Sequence, residues 1–455
     1  MRKVFSRVYR AGLFTCMNLI LLALPAYALY TAQGESYSID TGGSIRTIGS
    51  VVKNYDDPLL FGRDNIYDSS SQALLRLTST GSLPHESVFE IHVVGEVFSA
   101  STNQAGIVSD TSATSPLPSR YRLTRGAWEV ARDDDLRTSI DTDRLNIKFS
   151  YSGMDIILGR QAINFSQAYF WNPLDVFLAF DPQAFDRDYK PGIDALRLDF
   201  ALGNFSCLTI AAAPGRELKI EYTPGEADIS AGSINAYGSA FMARYTSTID
   251  EWDLALQTGA LYGGYQAGAG FSGEIHKMGF RGEAAYVKAQ GHSTTLVPDP
   301  YTAGFVQAID IVEDHFALVL GTDYRFENSL YFNLEYLYNS QGQDDNLNEA
   351  FVRRYIGETL SMGKHLAGLQ LTYEFHPLLT GQAVWIYSFS DASSLVSPTI
   401  TYSLADEAEF LCGATLGDGD RPSSQQVVPG LNIPVIESEY GTYPDVFFME
   451  FKFYF

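Results

Sequence analysis

Residues 447–455 read FFMEFKFYF and place an apolar side chain at every second position. The residues between them include Glu450 and Lys452, so both charges lie on one side of the alternation. Because successive side chains of a β-strand point to opposite faces, this pattern predicts a strand with one wholly apolar face. The apolar positions of this C-terminal strand are Phe447, Met449, Phe451, Phe453 and Phe455.

The same period of two recurs along the chain, for example in VFEIHVVGEVF (88–98), RLNIKFSY (144–151) and LYFNLEYLY (330–338). Each segment has one apolar face and one face that accepts charge, which fits either a soluble sheet with one wet face or a barrel in lipid. Most segments have about ten residues or more, whereas soluble strands average about 5–6 and membrane strands need about 9–11. Their length therefore favours the membrane barrel.

Tight turns alternate with long loops between these segments, as short periplasmic turns and long extracellular loops do in outer-membrane barrels. The pattern predicts an all-β fold, a transmembrane antiparallel β-barrel of about 18 strands (16–18) around an aqueous channel. Residues 120–131 (YRLTRGAWEVAR) would make the strand count odd, so we interpret them as a loop or hairpin. The predicted tight turns are at 152–153, 203–204, 279, 327–328, 376–377 and 406. The predicted long loops are 100–140, 165–191, 214–234, 291–313, 340–364 and 418–444.

The composition supports this fold and excludes one class of partner. The chain has 28 Tyr and 29 Phe, and transmembrane barrels use such residues for the aromatic girdles at both membrane interfaces. Asp and Glu number 54 against 31 Lys and Arg, which argues against nucleic acid as a partner. An acidic balance is typical of surface loops among lipopolysaccharide and divalent cations. Outer-membrane lipid and lipopolysaccharide are therefore the expected surroundings.

The N-terminus predicts export. Basic residues within the first ten positions precede an uncharged apolar run, and the small residues Ala26 and Ala28 follow it. This order is that of a cleavable secretory signal peptide over residues 1–28, which leaves 29–455 as the mature barrel. A retained membrane helix is the alternative, but the run is short and the small-residue site follows it directly. No later stretch reaches the ~20 apolar residues of a membrane helix, so the cell outer membrane is the expected location.

Three stretches carry a resemblance to known proteins. A C-terminal strand that ends in Phe after alternating apolar residues resembles the assembly signal of Gram-negative outer-membrane barrels, which implies handling by the barrel-assembly machinery. LGRQAINF (158–165) followed by WNPLDVF (171–177) resembles porin-like chains in which a Leu-Gly-Arg-Gln strand leads into a loop with Asn-Pro. SPTITYSLADEAEFLCGATLGDG (397–419) is similar to their penultimate hairpin. The resemblance implies a porin-like barrel.

The resemblance to porins also implies a constriction. Loops of comparable length fold into the lumen of porins, so residues 165–191 are expected to form a pore-constricting loop. Facing acidic and basic side chains would create a transverse field that orders permeating solutes. An ordinary solvated lumen and loop surface is the alternative interpretation of the same charges. The pore-lining and constriction candidates are Arg160, Gln161, Asp186, Arg187, Asp188, Arg197 and Asp199.

The motifs of the sequence do not predict catalysis, a cofactor or a metal site. GAGFSG (268–273) matches a nucleotide-binding pattern, but its flanks predict strands where that motif needs a helix. The seven histidines do not reach metal-ligand spacing. Asp314 and His315 are adjacent at a predicted strand start, without an obvious serine partner. The chain is therefore not expected to be an enzyme.

The expected function is a passive channel for small hydrophilic solutes or ions, with a mild cation preference from acidic loops. The oligomeric state is open, and a homo-oligomer is compatible with the sequence. One alternative is a barrel that sheathes a multihaem cytochrome in an electron conduit. Another is a channel for one substrate, such as an acidic polysaccharide, which requires a basic lumen. The residues available for a basic lumen are Arg144, Lys148, Arg160, Arg197, Arg244 and Arg325.

Overall fold

The computed structural model of the chain describes residues 29–53, 67–100, 120–133, 136–177, 189–223, 226–290, 295–298, 305–308, 312–344, 347–355, 359–428 and 431–455. They include one α-helix, α1 (Leu347–Tyr355), and a 3-10 helix (Tyr440–Thr442). Among the described residues, no helix combines the length and apolarity needed to cross a membrane. The strands are β1 (Tyr30–Gln33), β2 (Ser38–Lys53), β3 (Tyr67–Leu83), β4 (Ser87–Ala100), β5 (Ala127–Asp133), β6 (Leu136–Tyr151), β7 (Met154–Gln161), β8 (Ile193–Ala201), β9 (Ser206–Thr223), β10 (Glu226–Ile249), β11 (Trp252–Leu261), β12 (Gly264–Ile275), β13 (Met278–Ala289), β14 (Thr295–Pro298), β15 (Phe305–Ala308), β16 (His315–Arg325), β17 (Tyr331–Asn339), β18 (His365–His376), β19 (Leu379–Ser388), β20 (Ser394–Ala405), β21 (Ala408–Asp418), β22 (Ser423–Val428), β23 (Leu431–Val435) and β24 (Asp445–Tyr454).

The main sheet closes into an antiparallel barrel. It contains 20 strands, but β1 and β5 pair only with the free ends of β2 and β6, so 18 strands form the wall. β24 closes the barrel because it pairs with β21 on one side and with β2 on the other, where Phe453 faces Ile45. In lipid every backbone N–H and C=O needs a partner within the protein, and closure supplies it. The predicted transmembrane β-barrel of about 18 strands is confirmed.

Side chains alternate between the two faces of the wall. On β24 the outward Phe447 and Met449 are 51% and 62% exposed, whereas the inward Glu450 is 1% exposed. On β17 the inward Glu335 is fully buried between outward residues that are exposed. Outward apolar side chains therefore meet acyl chains, and the inward face accommodates the charges.

The two rims of the barrel differ. Both ends of the wall lie on one side, where every connection between its strands has two to five residues, and we call this side the short-turn rim. Ser152 and Gly153 join β6 to β7 there with φ angles of 44° and 82°, as expected for a two-residue hairpin turn. The long connections β7–β8, β17–β18 and β21–β24 lie at the opposite end, which we call the long-loop rim.

Two predicted connections differ in the structure. The tight turn predicted at Gly279 lies instead at His276 and Lys277. These two residues adopt positive φ angles of 50° and 69°, although neither is a glycine. Residues 214–234 are not a loop: β9 and β10 continue through them as a hairpin, with Arg216 paired to Ile234. A hairpin beyond the membrane needs no apolar face, so its strands lack the alternation that identified the others.

Residues 120–131 lie partly in a hairpin, in agreement with their interpretation from sequence. β5 pairs with the part of β6 that extends past β7 toward the long-loop rim, and Trp128 faces Ile140. The β5–β6 hairpin therefore extends beyond the wall at the long-loop rim and adds no strand to the wall.

Candidate pore and its inner segment

The chain that follows β7 turns into the barrel and lies against the inner wall. We call residues 162–177 the inner segment. Glu335 on β17 accepts hydrogen bonds from the backbone N–H groups of Tyr169 at 2.6 Å and Phe170 at 2.7 Å. Glu283 on β13 accepts from three further backbone N–H groups of the segment. Because hydrogen bonds to a carboxylate are stronger than neutral ones, these two inward residues fix the segment across the lumen from β7.

Aromatic side chains at the middle of the inner segment pack on the wall. Phe170 and Trp171 are 0% and 1% exposed. A Cβ at Gly368 would lie 2.7 Å from the Phe170 ring, so this glycine makes room for the aromatic side chain. Burial of side chains of this size stabilises by roughly 1.5–3 kcal/mol each. The buried residues of this cluster are Phe170, Trp171, Val319, Leu337, Leu366, Ile386, Leu395 and Tyr440.

The Asn-Pro turn of the inner segment is held by amide side chains of the wall. Gln266 Nε2 donates to the carbonyl of Pro173 at 3.0 Å, and Gln257 Nε2 donates to that of Leu174 at 2.8 Å. Arg244 Nη1 in turn donates to Gln257 Oε1 at 2.8 Å. Buried carbonyl groups need such partners, so the wall of β10–β12 fixes the turn through its inward polar residues.

The ends of the inner segment pack on small inward residues. These residues come from β8, β9 and β10, where alanine leaves space between the wall and the incoming side chains. Tyr121 joins them from the connection before β5, and Phe177 contacts it edge-to-face with ring centroids 5.6 Å apart. The cluster consists of Tyr121, Ile163, Phe165, Phe177, Ile193, Ala195, Ala211, Ala213, Ala240 and Met242.

A buried ion pair joins the inner segment to the chain that returns to β8. Lys190 Nζ donates to Asp175 Oδ2 and also to the carbonyl of Ile163 at 2.6 Å. The two side chains are 6% and 3% exposed. Burial raises the pKa of Asp175 and lowers the pKa of Lys190, while the attraction within the pair opposes both shifts. Desolvation offsets much of the attraction, so the main contribution of the pair is to hold the inner segment in position.

The structure places Arg160 and Gln161 within the wall. Arg160 shares the outward face of β7 with Leu158 but is 4% exposed. Its guanidinium donates to Asp194 Oδ1 at 2.8 Å and to the Thr124 carbonyl at 2.7 Å. Gln161 Nε2 donates to the backbone, including a carbonyl of β8 at 3.1 Å. Both side chains are thus enclosed at the long-loop rim.

Arg197 and Asp199 lie together on the inward face of β8. Arg197 Nε donates to Asp199 Oδ1 at 3.0 Å, and Asp199 also accepts from Thr209 Oγ1 at 2.6 Å. The candidates Asp186, Arg187 and Asp188 lie outside the described residues.

The C-terminal strand residues form part of the outward surface. Phe455 and Gly43 exchange backbone hydrogen bonds of 2.8 and 3.0 Å, which extends the β2–β24 pairing by one position. Phe451 and Phe453 pack with Ala408 of β21 into a small cluster near the short-turn rim. The outer face of β24 is therefore apolar near the short-turn rim.

An arginine–carboxylate cluster on the opposite wall was missed by the sequence analysis. Arg76 on β3 donates to Asp143 Oδ2 at 2.7 Å, and Arg144 donates to the same atom at 3.0 Å. Arg122 donates to Asp141 at 2.8 Å. The signal was the close spacing of Asp141, Asp143 and Arg144, which lie at an irregularity in the β4–β6 pairing. Glu283 and Glu335 were missed too, although each is a lone carboxylate within an apolar strand.

Comparison with known proteins shows the fold. No protein-family model and no curated protein sequence matches this chain. Among solved structures, OccAB3 of Acinetobacter baumannii aligns with a TM-score of 0.53 at 9% identity, over 92% of this chain and 99% of that one. OccAB1 of the same organism aligns with a TM-score of 0.51 at 10% identity, over 94% and 99%. These neighbours are outer-membrane porins, and this chain shares their barrel fold.

Proposed function

We propose that this chain is an outer-membrane, porin-like channel through which small hydrophilic solutes or ions diffuse passively. The observation that carries the proposal is a closed wall of 18 strands with charged residues on its inner face. A barrel of this size leaves an aqueous channel unless its lumen is filled. The fold shared with outer-membrane porins supports the same function and gives no reason to expect an enzyme.

We propose that residues 165–191 form the constriction. The support is the attachment of the inner segment to Glu283 and Glu335, which draws it away from the long-loop rim and into the lumen. The remaining opening then lies between the segment and the charged residues of β2–β8. Arg197 and Asp199, which contact each other on the inward face of β8, are the earlier candidates that would line this opening. Facing charges of this kind order permeating solutes in a transverse field.

The charges of the inner wall favour weak ion selectivity. Lys148 lies 3.0 Å from Asp155, and Arg197 lies 2.9 Å from Asp199, so bases of the wall have acids beside them. Such pairing leaves little net positive charge for an acidic polysaccharide. The net charge of −23 supports a mild cation preference.

A cytochrome sheath has less support than a channel. A sheath needs an open lumen for its haem protein, whereas here the inner segment and its aromatic cluster take up lumen space from β7 to β20. We further propose export through the signal peptide over 1–28 and insertion by the barrel-assembly machinery. Outer-membrane lipid and lipopolysaccharide would then surround the apolar outward face.

Conductance in planar bilayers tests the proposal. The folded barrel should give stepwise ion currents, with a small reversal potential of cationic sign in a salt gradient. A folded barrel that inserts and passes no current would overturn the channel function, and clear anion selectivity would overturn the cation preference.

A pair of variants tests the constriction. Glu335→Ala removes the acceptor for two backbone N–H groups of the inner segment and should raise the single-channel conductance. Glu407→Ala, in the exposed turn between β20 and β21, is the matched control. Equal conductance in both variants and the wild type would contradict a constriction held by Glu335.

A further inference from the structure

One part of the inner wall carries hydroxyl and amide side chains in place of charges. It lies on β18, β19 and β20, on the short-turn side of the aromatic cluster. Gly368, which contacts Phe170, is two residues from Gln370 on the same face, a spacing of about 7 Å along a strand. We call this surface the neutral patch. Its members are Gln370, Thr372, Thr380, Gln382, Thr399 and Thr401.

The strand register places these side chains beside one another. Thr372 faces Gln382 across the β18–β19 pair, and Gln382 faces Thr399 across the β19–β20 pair. Thr380 faces Thr401 one step nearer the short-turn rim. Neighbouring strands are about 4.8 Å apart, so the patch is a grid of hydrogen-bonding groups at the spacing of adjacent polar groups on a small solute.

The hydrogen-bonding capacity of the patch is largely unfilled by the protein. Gln370 Nε2 donates to Thr372 Oγ1 at 3.3 Å. The other four members make no side-chain hydrogen bond to another described residue. Gln370 is 7% exposed, and its Oε1 is buried without a partner among the described residues. The side chains of Gln382, Thr399 and Thr401 are half-buried, so a solute in the lumen can reach their open hydrogen-bonding groups.

A second buried amide borders the same edge. Asn333 of β17 faces Gln370 in the register and is fully buried. Within the described part of the chain, neither its Nδ2 nor its Oδ1 has a hydrogen-bond partner.

The chemistry of the patch selects a class of solute. Hydroxyl and amide groups both donate and accept hydrogen bonds, and the hydroxyl groups of a solute do the same. A carboxylate only accepts and an ammonium only donates, so either would satisfy half of the grid. None of the six members is charged, so neither would find a counter-ion among them.

We propose that the neutral patch binds an uncharged, hydroxyl-rich solute, a monosaccharide or polyol, on the short-turn side of the constriction, an inference that rests on the proposed channel function. The solute hydroxyls exchange hydrogen bonds with Thr399 and Gln382, whose side chains are half-buried. The patch thereby gives the channel a preference among neutral solutes that its charged wall cannot give.

Sugar-induced reduction of single-channel current tests this proposal. Glucose should lower the current of the wild type in a saturable way, beyond the effect of viscosity. Thr399→Val and Gln382→Leu keep the side-chain size but remove hydrogen bonds, so each should weaken the glucose effect by about two- to tenfold. Thr78→Val is the matched control, since Thr78 lies on the inward face of β3, outside the patch.

Acetate carries a charge without hydroxyl groups and separates the two kinds of interaction. The effect of acetate on the current should be insensitive to Thr399→Val and Gln382→Leu. A conducting wild type without a saturable glucose effect would overturn the inference and leave the channel function intact. Loss of the glucose effect in Thr78→Val as well as in the patch variants would also overturn it. Absence of any current would instead overturn the proposed function.

Discussion

We expect Glu439 to make the packing of the long-loop rim dependent on pH. It lies in the connection between β21 and β24, is 3% exposed, and accepts the N–H of Gly363 at 2.9 Å. Burial raises the pKa of Glu439 from its ordinary 4.5 to about 7, Asp391 adds to the rise, and Arg354 of α1 opposes it. The packed rim therefore favours the protonated carboxyl.

The sign and size of the effect follow from that pKa. Glu439 has a pKa of about 7 in the packed rim and the ordinary 4.5 in a rim that has opened to solvent. Between these two values the packed rim binds more protons than the opened rim, so the free energy of opening falls as pH rises. The fall begins near pH 4.5 and is complete above about pH 7. Since one pKa unit corresponds to about 1.4 kcal/mol, the packed rim loses about 3 kcal/mol over this range. Glu439→Gln is neutral at every pH and keeps an acceptor for Gly363.

Hydrogen exchange of the peptide that contains Gly363 measures this free energy. The barrel is exchanged in detergent at several pH values from 5 to 8.5, and each rate is corrected for the intrinsic pH dependence of exchange. Protection should fall with pH in the wild type and stay level in Glu439→Gln. Glu437→Gln, at an exposed neighbouring position, should behave as the wild type. A wild type with level protection, or a slope that persists in Glu439→Gln, refutes the reasoning.

Two further predictions concern the inner segment. Lys190→Met leaves Asp175 buried without its partner and should lower the free energy of unfolding by about 3–5 kcal/mol in urea titrations; adding Asp175→Asn should restore most of the loss, and no restoration would contradict a role in position. Trp171→Ala removes a fully buried ring and should cost about 3–5 kcal/mol in the same titration, together with a larger or noisier single-channel current. Unchanged stability in Trp171→Ala would mean that the aromatic cluster does not hold the segment.

The wall could be predicted from sequence because lipid imposes a strict rule on each strand. An outward residue such as Met449 must be apolar, whereas its neighbour Glu450 can carry charge only inside. The rule acts at every second residue and needs no knowledge of distant contacts. It stops at the membrane boundary, which is why the hairpin around Arg216 was predicted as a loop.

The position of the inner segment could not be predicted in the same way. Tyr169 and Glu335 are 166 residues apart, and a hydrogen bond from a backbone N–H leaves no pattern in the sequence near Tyr169. The position of Arg160 could not be predicted either. Its neighbour Gln161 gives no indication that the outward guanidinium of Arg160 is enclosed at the long-loop rim by Asp194. Tertiary contacts decide both positions.

One signal of the segment was nevertheless present in the wall. Leu366 and Ile386 lie at inward positions, where solvated lumen would favour polar residues, and both are fully buried against the aromatic cluster. Two positions further along the inward face, β18 and β19 return to Gln370 and Gln382. The inward face therefore changes from apolar to polar at the edge of the inner segment. Because only covered residues can be apolar there, this change marks where protein ends and the solute path begins.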